Sequence, residues 1–429
     1  MKKTRILCVV LALLMLASLL VGCDEDKQTP SETEEKTEET TASALSMTVN
    51  GVALTDYTIV YSVKTNSGGK KAAEYLNQKL SELYGVELQT ANKRQDRPEI
   101  VIGLGGDDEE FAAAYQEHPQ GLIGVSGKKI VLLGVNASAL CKLVDVFLAK
   151  ATADESGMSI RVTECEFPDI KTDSITVMSY NLLNDMSISG RPADAREQMV
   201  QTILQNDVDV VGTQENNTEG HHKVFTELLG NYSSYIGAGE SNVIYWKTEK
   251  FNMIKKGYYY LTNTPGIKSK YEDSTQYRTL SYVILEVKET GKRFVFVDTH
   301  LDYRASEETR IKQINALASL MKKINGEGLP IILLGDFNSL ATRSNGAIPT
   351  FLGSNPNFVM TSKVAEKKGD TGESLVSQDD FETRYYGVFD YIFVSVDNVY
   401  TEYYTIVDNI SDGKYPSDHL PVLAHVDLY

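Results

Sequence analysis

Eight short apolar runs recur between residues 174 and 429, and most are too apolar to alternate between a buried and a polar face. They cover residues 175–183, 208–213, 243–246, 281–287, 293–300, 330–335, 391–396 and 421–426. Helical patterns separate several of these runs. Strands that are buried on both faces and separated by helices are typical of sheets covered by helices. This spacing predicts an α/β fold for residues 174–429.

Two of the helical patterns can be placed from their ends. Pro192 is expected in the first turn of a helix whose apolar residues include Met199 and Ile203. Ser306 is expected to cap a second helix that opens with two glutamates, because a serine hydroxyl accepts a backbone hydrogen bond at this position. Trp246 ends an apolar run and is predicted to lie in the core.

The side chains that carry chemistry stand at the ends of these runs. They are Asn181 in MSYNLL, Glu215 in VGTQEN, His300 and Asp302 in DTHLD, Asp336 and Asn338 in LLGDFNS, Asp390 in FDYIF, and Asp418 and His419 in YPSDHLP. An α/β fold assembles its site from groups of this kind at the ends of strands. The sequence therefore predicts one site that gathers carboxylates, amides and imidazoles from six segments.

In this order, the six segments resemble the endonuclease/exonuclease/phosphatase superfamily, the deoxyribonuclease-like metallophosphoesterases, over essentially all of residues 174–429. The resemblance implies a C-terminal four-layer α/β sandwich, in which two packed mixed β-sheets are flanked by helices. It also implies a phosphoric ester hydrolase that uses Mg²⁺, with Mn²⁺ as a substitute. Phosphoester cleavage needs a hard cation, an activated water molecule and donors for the phosphoryl oxygens.

The resemblance assigns the metal ion to three side chains, Glu215, Asn181 and Asp418. Oxygen ligands such as these carboxylates suit Mg²⁺. Arg278, in YRTLSYVILE, matches an arginine common at this point in the family and is a substrate-binding candidate, with a surface salt bridge as an equal alternative. Asp302 is the second substrate-binding candidate.

The resemblance also implies a catalytic group of five residues. Asp336 aligns or deprotonates the attacking water, and Asn338 orients that water and touches the phosphate. His419 stabilises the phosphoryl oxygens or assists proton transfer, while Asp390 holds its imidazole in the required tautomer. His300 is a second imidazole on the phosphate.

The first 23 residues resemble a bacterial lipoprotein signal peptide with its lipobox. A basic start and an apolar run lead into Leu20-Val21-Gly22-Cys23, so Cys23 is the expected site of lipidation. An uncleaved transmembrane anchor is the alternative. Residues 24–45 are acidic and Thr-rich with almost no apolar side chains, and we predict a disordered tether there. The expected location is outside the cytoplasm, on the bacterial membrane.

Residues 46–168 are predicted to form a small α/β accessory domain without a catalytic constellation. Gly85 follows a helical pattern at the position of a C-cap. Cys141 and Cys165 either form a disulfide or stay as two buried free thiols. A polar stretch after Pro168 separates this domain from the catalytic domain of residues 174–429.

The substrate is left open by the sequence. A net charge of −17 disfavours a protein that coats nucleic acid. A phospholipid head group, a nucleic acid and a sugar phosphate all remain, and no obligate protein partner is evident. The alternatives to a general phosphoesterase are a secreted-type nuclease, a sphingomyelinase-like phospholipid phosphodiesterase and a catalytically idle surface-binding lipoprotein. His221 and His222 open a polar stretch, and we expect them to be solvated.

Overall fold

The structure is a computed structural model that describes residues 47–61, 68–103, 109–118, 121–154, 157–216, 220–237, 241–385 and 387–429. The predicted signal peptide of residues 1–23 and the predicted tether of residues 24–45 lie outside these ranges, so both stay predictions. Across the described ranges, no helix is long and apolar enough to cross a membrane.

The N-terminal segment is built on two small sheets. Its strands are β1 (Met47–Val49), β2 (Val52–Ala53), β3 (Thr58–Tyr61), β4 (Gln89–Ala91), β5 (Glu99–Ile102), β6 (Leu122–Ser126), β7 (Lys129–Leu133), β8 (Thr152–Asp154) and β9 (Gly157–Ile160). Its helices are a 3₁₀ turn (Leu54–Asp56), α1 (Gly69–Tyr84), α2 (Glu109–Glu117) and α3 (Ala137–Leu148). The strand orders are β4-β3-β5-β7-β6 and β2-β1-β9-β8. Gly85 ends α1 with a left-handed φ of 65°, so the predicted C-cap is confirmed.

Two larger mixed sheets form the segment from residue 174 onward. Its strands are β10 (Ser174–Asn181), β11 (Val210–Gln214), β12 (Tyr232–Ile236), β13 (Val243–Lys247), β14 (Phe251–Tyr260), β15 (Thr279–Val287), β16 (Arg293–His300), β17 (Ile331–Asp336), β18 (Phe358–Met360), β19 (Lys367–Lys368), β20 (Leu375–Val376), β21 (Arg384–Tyr385), β22 (Asp390–Ser395), β23 (Val399–Ile406) and β24 (Val422–Leu428). The seven-stranded order is β12-β13-β11-β10-β24-β23-β19, and the six-stranded order is β14-β15-β16-β17-β22-β18. β20 and β21 pair separately.

The two larger sheets pack face to face, and helices cover their outer faces. The helices are α4 (Ala195–Gln205), α5 (His221–Leu228), α6 (Glu307–Ile324), α7 (Ala347–Ser354) and α8 (Thr361–Val364). One buried core joins side chains of both sheets, such as Val177 and Leu334. A second core lies between the seven-stranded sheet and α4 and α5, and a third between the six-stranded sheet and α6 and α7. The predicted four-layer α/β sandwich is confirmed.

Of three local predictions for this segment, two are confirmed and one is wrong. Ser306 caps α6, and its hydroxyl accepts a hydrogen bond from the Thr309 N–H at 3.2 Å, as predicted. Trp246 is buried between the sheets, also as predicted. Pro192 does not lie in the first turn of α4, because that helix begins only at Ala195. The proline instead belongs to the turn that leads into the helix.

The N-terminal segment supports the last strand of the chain. Asn136 caps α3 and also donates hydrogen bonds to Ser174 Oγ at 2.9 Å and to the Asp427 carboxylate at 3.2 Å. The ring of Tyr429, the last residue, packs edge-on against Tyr75 and belongs to the N-terminal core. The proposed boundary between residues 168 and 174 stays a prediction, and the two segments share this polar and aromatic junction.

No disulfide joins Cys141 and Cys165, the two cysteines of the described segment. Cys141 is buried on α3, whereas Cys165 is exposed. The disulfide alternative is therefore wrong, and of the two predicted buried thiols only Cys141 is buried.

Candidate active site

Strand register brings three of the predicted site residues side by side. β16 and β17 are parallel and pair His300 with Asp336, while β22 is antiparallel to β17 and pairs Asp336 with Asp390. Neighbouring strands lie about 5 Å apart, so these three side chains stand in one row at the edge of the six-stranded sheet. In the other sheet, Asn181 ends β10 and Glu215 follows β11, and the two strands are parallel. The site therefore lies where the ends of both sheets meet.

Asp336 is the centre of this arrangement. Its side chain is only 1% exposed, and its Oδ2 accepts a hydrogen bond from Asn181 Nδ2 at 3.0 Å, across the gap between the two sheets. The Asn338 backbone N–H donates to Oδ1 at 2.8 Å. The Nε2 atoms of His300 and His419 lie 3.3 and 3.7 Å from Oδ2. The Asp336 carboxylate thus contacts the Asn181 side-chain amide, the Asn338 backbone amide and two imidazoles. The sequence indicated only that these residues stand near strand ends.

His419 and Asp390 form a buried hydrogen-bonded pair. His419 Nδ1 lies 2.8 Å from Asp390 Oδ2, which also accepts a hydrogen bond from the Ser374 hydroxyl at 2.8 Å. Burial disfavours charge on the imidazole, but the Asp390 and Asp336 carboxylates outweigh it and raise the pKa of His419 well above its usual value. At neutral pH His419 is therefore a cation held in a fixed orientation by Asp390.

Burial shifts the pKa values of Asp336 and His300, the two groups beside this pair, in opposite directions. It raises the pKa of Asp336 to about 7, with the His419 cation lowering that pKa and Asp390 raising it. Burial also lowers the pKa of His300 well below its usual value, helped by the positive charges of Arg278 and His419. At neutral pH, Asp336 is thus ready to take up a proton and His300 is uncharged.

Glu215 and Asp418 offer carboxylate oxygens that suit a hard cation. Glu215 accepts hydrogen bonds from Asn181 Nδ2 at 3.4 Å and from the Asn184 N–H at 2.9 Å, which leaves further lone pairs free. Among the described residues, Asp418 Oδ2 accepts a hydrogen bond from Gln378, whereas its Oδ1 is buried without a hydrogen-bond partner. A carboxylate oxygen left without a hydrogen bond can serve as a ligand of a divalent ion. The donor set predicted from the resemblance is thus compatible with a metal ion.

The backbone at two of these positions is strained. Glu215 has a φ of 58° and Asn338 a φ of 46°, which places both residues in the left-handed region. Such a conformation costs a non-glycine residue on the order of 1–3 kcal/mol and persists where the surroundings enforce it. The strain turns both side chains toward the site at the point where their strands end.

A second group with metal-binding character consists of Asp336, Asp390 and His419, whose ligand atoms lie within 4.8 Å of one another. His419 is already hydrogen-bonded to Asp390, and its charge is balanced by the two carboxylates. A cation of charge two would have to displace this imidazolium. The cluster is thus charge-balanced by its own residues, and the available carboxylate oxygens of Glu215 and Asp418 make these two side chains the better candidates for a metal ion.

The two substrate-binding candidates have different surroundings. The Arg278 guanidinium is 8% exposed, its Nε is buried without a partner, and it forms no ion pair within the described part of the chain. The salt-bridge alternative thus has no partner among those residues. Asp302 accepts hydrogen bonds from the N–H groups of Thr275 and Gln276 at 2.8 and 2.9 Å and of Arg304 at 3.0 Å. Its carboxylate is occupied by loop backbone.

Arg191 is a site-forming residue that was not predicted from the sequence. Its buried guanidinium donates to the carbonyls of Leu182, Leu183 and Asp185 at 2.6–2.9 Å and to the carbonyl of Pro416 at 2.8 Å. Arg191 therefore ties the loop after Asn181 to the loop before Asp418. All its partners are carbonyls, which exist in every residue, so no sequence pattern could have identified it.

His221 was predicted to be solvated, and this is wrong. It is buried on α5 against Phe225, with ring centroids 6.4 Å apart, and its Nε2 lies 3.1 Å from the Leu183 carbonyl oxygen. Burial lowers the pKa of His221 to about 4, so the ring is neutral and Nε2 donates. The apolar residue four positions later was the available signal, because residues i and i+4 share one helix face.

The comparisons with known proteins agree with this geometry. Residues 178–419 match the model of the Endonuclease/Exonuclease/phosphatase family. An endonuclease/exonuclease/phosphatase family protein from Bacteroides thetaiotaomicron is 26% identical and aligns over 60% of this chain and 99% of its own, with a TM-score of 0.53. A mannosyl-6-phosphatase from the same organism is 26% identical over 59% of this chain and 99% of its own, with a TM-score of 0.50.

A Bacteroides vulgatus protein described as an endonuclease/exonuclease/phosphatase shares the fold, with a TM-score of 0.52 at 22% identity over 60% of this chain and 99% of its own. No curated protein sequence matches the chain. The family model covers more than half of the residues, and the six motif segments converge in one site. The chain therefore belongs to the endonuclease/exonuclease/phosphatase family and is a phosphoric ester hydrolase.

Proposed function

We propose that this protein hydrolyses a phosphate ester by attack of a water molecule, with Mg²⁺ as its metal ion and Mn²⁺ as a substitute. The observation that carries the proposal is the position of Asp336, whose Oδ2 lies 3.0–3.7 Å from Asn181, His300 and His419. A carboxylate with a pKa of about 7 is suited to accept the proton of an attacking water at neutral pH.

The other side chains divide the remaining work. The His419 imidazolium, held by Asp390, stabilises negative charge that develops on the phosphoryl oxygens. Asn338 orients the water and contacts the phosphate, and neutral His300 provides a second imidazole at the same group. Arg278 contributes a buried positive charge that Asp302, Asp336 and Glu215 attract but that forms no direct ion pair among the described residues.

Glu215, Asn181 and Asp418 would hold the metal ion. Enzymes of this family generally depend on a divalent metal. When bound, the ion acts as a Lewis acid on the phosphoryl oxygens. The orphaned Oδ1 of Asp418 and the remaining lone pairs of Glu215 support this assignment, and oxygen ligands favour Mg²⁺ over softer metals.

The proposed location is the outer side of the bacterial membrane, with Cys23 as the lipid-bearing residue. The basic start, the apolar run and the Leu-Val-Gly-Cys ending support it. For the substrate we propose a sugar phosphate, because a mannosyl-6-phosphatase is similar to this chain at 26% identity over 59% of its length. A phosphodiester of a nucleic acid or a phospholipid is the alternative.

The test is a hydrolysis panel with purified protein. Mannose 6-phosphate, p-nitrophenyl phosphate, bis-p-nitrophenyl phosphate, plasmid DNA and sphingomyelin are each assayed with Mg²⁺, with Mn²⁺ and with EDTA. We expect phosphate release from the monoesters that is abolished by EDTA. Asp336→Asn should lower the rate about 10²–10⁴-fold, as expected for loss of a general base. Asp427→Asn, a matched change of a buried aspartate away from the site, should not.

Two results would contradict the proposal. Turnover of all five compounds within background, with and without metal, would mean that the site is idle. Equal rates for Asp336→Asn and the native protein would mean that Asp336 is not the proton acceptor. Faster hydrolysis of DNA or sphingomyelin than of the monoesters would show that the substrate is the corresponding diester and not a sugar phosphate.

A further inference from the structure

A rim of positive charge lies beside the site, and it starts at Arg278. This guanidinium is buried without an ion-pair partner in the described part of the chain. Arg278 directly precedes β15, whose Leu280 pairs with Thr299 of β16 next to His300, and the Asp302, Asp336 and Glu215 carboxylates attract its charge. A desolvated cation in this position is costly unless an anion completes it.

Asp302 fixes the two loops that flank Arg278. Its carboxylate accepts backbone hydrogen bonds from Thr275 and Gln276 on one loop and from Arg304 on the other, at 2.8–3.0 Å. These contacts hold the positions next to Tyr277 and Tyr303. The two tyrosines are 45% and 50% exposed, so both side chains stand at the surface. Asp302 thus holds the two loops that carry these tyrosines.

Each of these tyrosine rings carries cations. Lys268 Nζ and Lys270 Nζ lie 4.9 and 5.6 Å from the centroid of the Tyr277 ring, and the Arg304 guanidinium lies 5.0 Å from that of Tyr303. Cation–π contacts restrict these flexible side chains, so part of the entropy cost of binding is already met in the free protein.

In the described part of the chain, the acids of the same loop form no direct ion pair with these cations. Asp273 accepts hydrogen bonds from the Ser306 and Thr309 hydroxyls at 2.8 and 2.6 Å, which commits its carboxylate to the start of α6. Glu272 is exposed, and it forms no ion pair with Lys268, Lys270 or Arg304 in the residues that the structure covers. Within the described residues, Lys268, Lys270 and Arg304 therefore have no direct ion-pair partner, in a chain whose net charge is −17.

We propose that Lys268, Lys270 and Arg304 bind a second phosphate group of the substrate, separate from the phosphate that Arg278 and the catalytic residues hold. The substrate would then be a small molecule with two phosphate groups, and this inference rests on the proposed function. Charge complementarity and the fixed positions of the three cations support it. No basic stripe is visible along the chain, because the rim is assembled from two loops that lie more than 30 residues apart.

The test compares inhibition by one and by two phosphate groups. Hydrolysis of the monoester p-nitrophenyl phosphate is inhibited with glucose 6-phosphate and with glucose 1,6-bisphosphate, at low and at 0.5 M salt. We expect the bisphosphate to bind about tenfold more tightly at low salt, because three exposed ion pairs each contribute modestly, and to lose most of that advantage at high salt. The triple variant K268Q/K270Q/R304Q should weaken the bisphosphate at least fivefold more than the monophosphate. The control variant K255Q/K256Q, on the exposed edge strand β14, should change neither activity nor the ratio.

The outcomes are distinct. The deciding quantity is the ratio of the inhibition constant of glucose 6-phosphate to that of glucose 1,6-bisphosphate at low salt. A ratio below twofold in the native protein, or a ratio that is unchanged in the triple variant, overturns the proposal. If none of the five compounds of the hydrolysis panel is turned over, the proposed function fails, and calorimetric titration of the two sugar phosphates into the Mg²⁺-supplemented protein still decides the rim by the same ratio. A second pair, a thymidine dinucleotide with and without a 5′-phosphate, identifies the source. An effect confined to that pair overturns the assignment to a small bisphosphate.

Discussion

Asp427 should make the stability of the protein depend on pH, and replacing it by asparagine should remove that dependence. The residue lies on β24 at the junction with the N-terminal segment and is 1% exposed. Its Oδ1 accepts hydrogen bonds from Ser174 and Asn136, whereas its Oδ2 is buried without a partner. Burial, with smaller contributions from Glu402 and Asp173, raises the pKa of Asp427 from 3.8 to about 7.

The sign and size of the effect follow from this shift. The folded state holds the proton more tightly than the unfolded state, so the stabilisation is complete below about pH 4 and is lost as the pH rises to about 7. A shift from 3.8 to about 7 corresponds to about 4 kcal/mol as an upper bound, at 1.36 kcal/mol per unit. Asp427→Asn stays neutral at every pH. It should therefore match the native protein at pH 4 and be more stable at pH 8 by up to about 4 kcal/mol.

The assay is urea unfolding of both proteins at pH 4, 6 and 8, followed by the fluorescence of Trp246, the single tryptophan of the chain. Taking the difference between variant and native protein at each pH cancels all other titrating groups, including His419 and Asp336. If that difference is the same at pH 4 and pH 8 to within about 0.5 kcal/mol, which is the error expected of such measurements, the reasoning about Asp427 is refuted.

The remaining predictions concern the site and the anchor. Glu215→Gln should raise the Mg²⁺ concentration needed for half-maximal activity at least tenfold, and an unchanged Mg²⁺ titration would remove Glu215 from the metal site. His419→Ala should lower kcat about 10²–10³-fold. Adding Asp390→Asn to His419→Ala should lower kcat little further, because the two residues act as one unit. Fully additive losses in kcat would show that they act independently. Arg191→Met should lower kcat and weaken Mg²⁺ activation together, whereas loss of stability alone would make its role purely structural. Cys23→Ser should abolish metabolic palmitate labelling, and equal labelling would refute lipid attachment at that residue.

Much of the catalytic site was predictable because strand ends concentrate polar side chains in α/β folds. Asp336, Asp390 and His300 each adjoin an apolar run, and strand register then places them in one row. The pairing across the two sheets was not predictable from the residues alone. The contact of Asn181 with Asp336 depends on how the sheets stack, since the two residues are 155 positions apart.

Residues that act through backbone carbonyls or through loop conformation escaped the sequence analysis for a different reason. Arg191 and Ser374 belong to no motif, because a carbonyl acceptor or a single hydroxyl leaves no pattern in the chain. Asp302 was assigned to the substrate, and that assignment stays a prediction. Its hydrogen bonds to Thr275, Gln276 and Arg304 suggest that it serves the substrate through the loops it holds.

The charge of the whole chain is a poor guide to what the site binds. At physiological ionic strength, exposed charges further than about 8 Å from a ligand are largely screened. A phosphate at the site is therefore governed by its close neighbours, Arg278 and the His419 imidazolium, and the excess of acids elsewhere matters little. Screening also limits the Lys268 and Lys270 ammonium groups to short range. They can therefore attract a second phosphate bound next to them, but not a distant group. A net charge of −17 is thus compatible with a doubly phosphorylated substrate. If the cations near the site govern binding, the protein should prefer the bisphosphate at low salt and lose this preference at high salt, whatever the net charge of the chain.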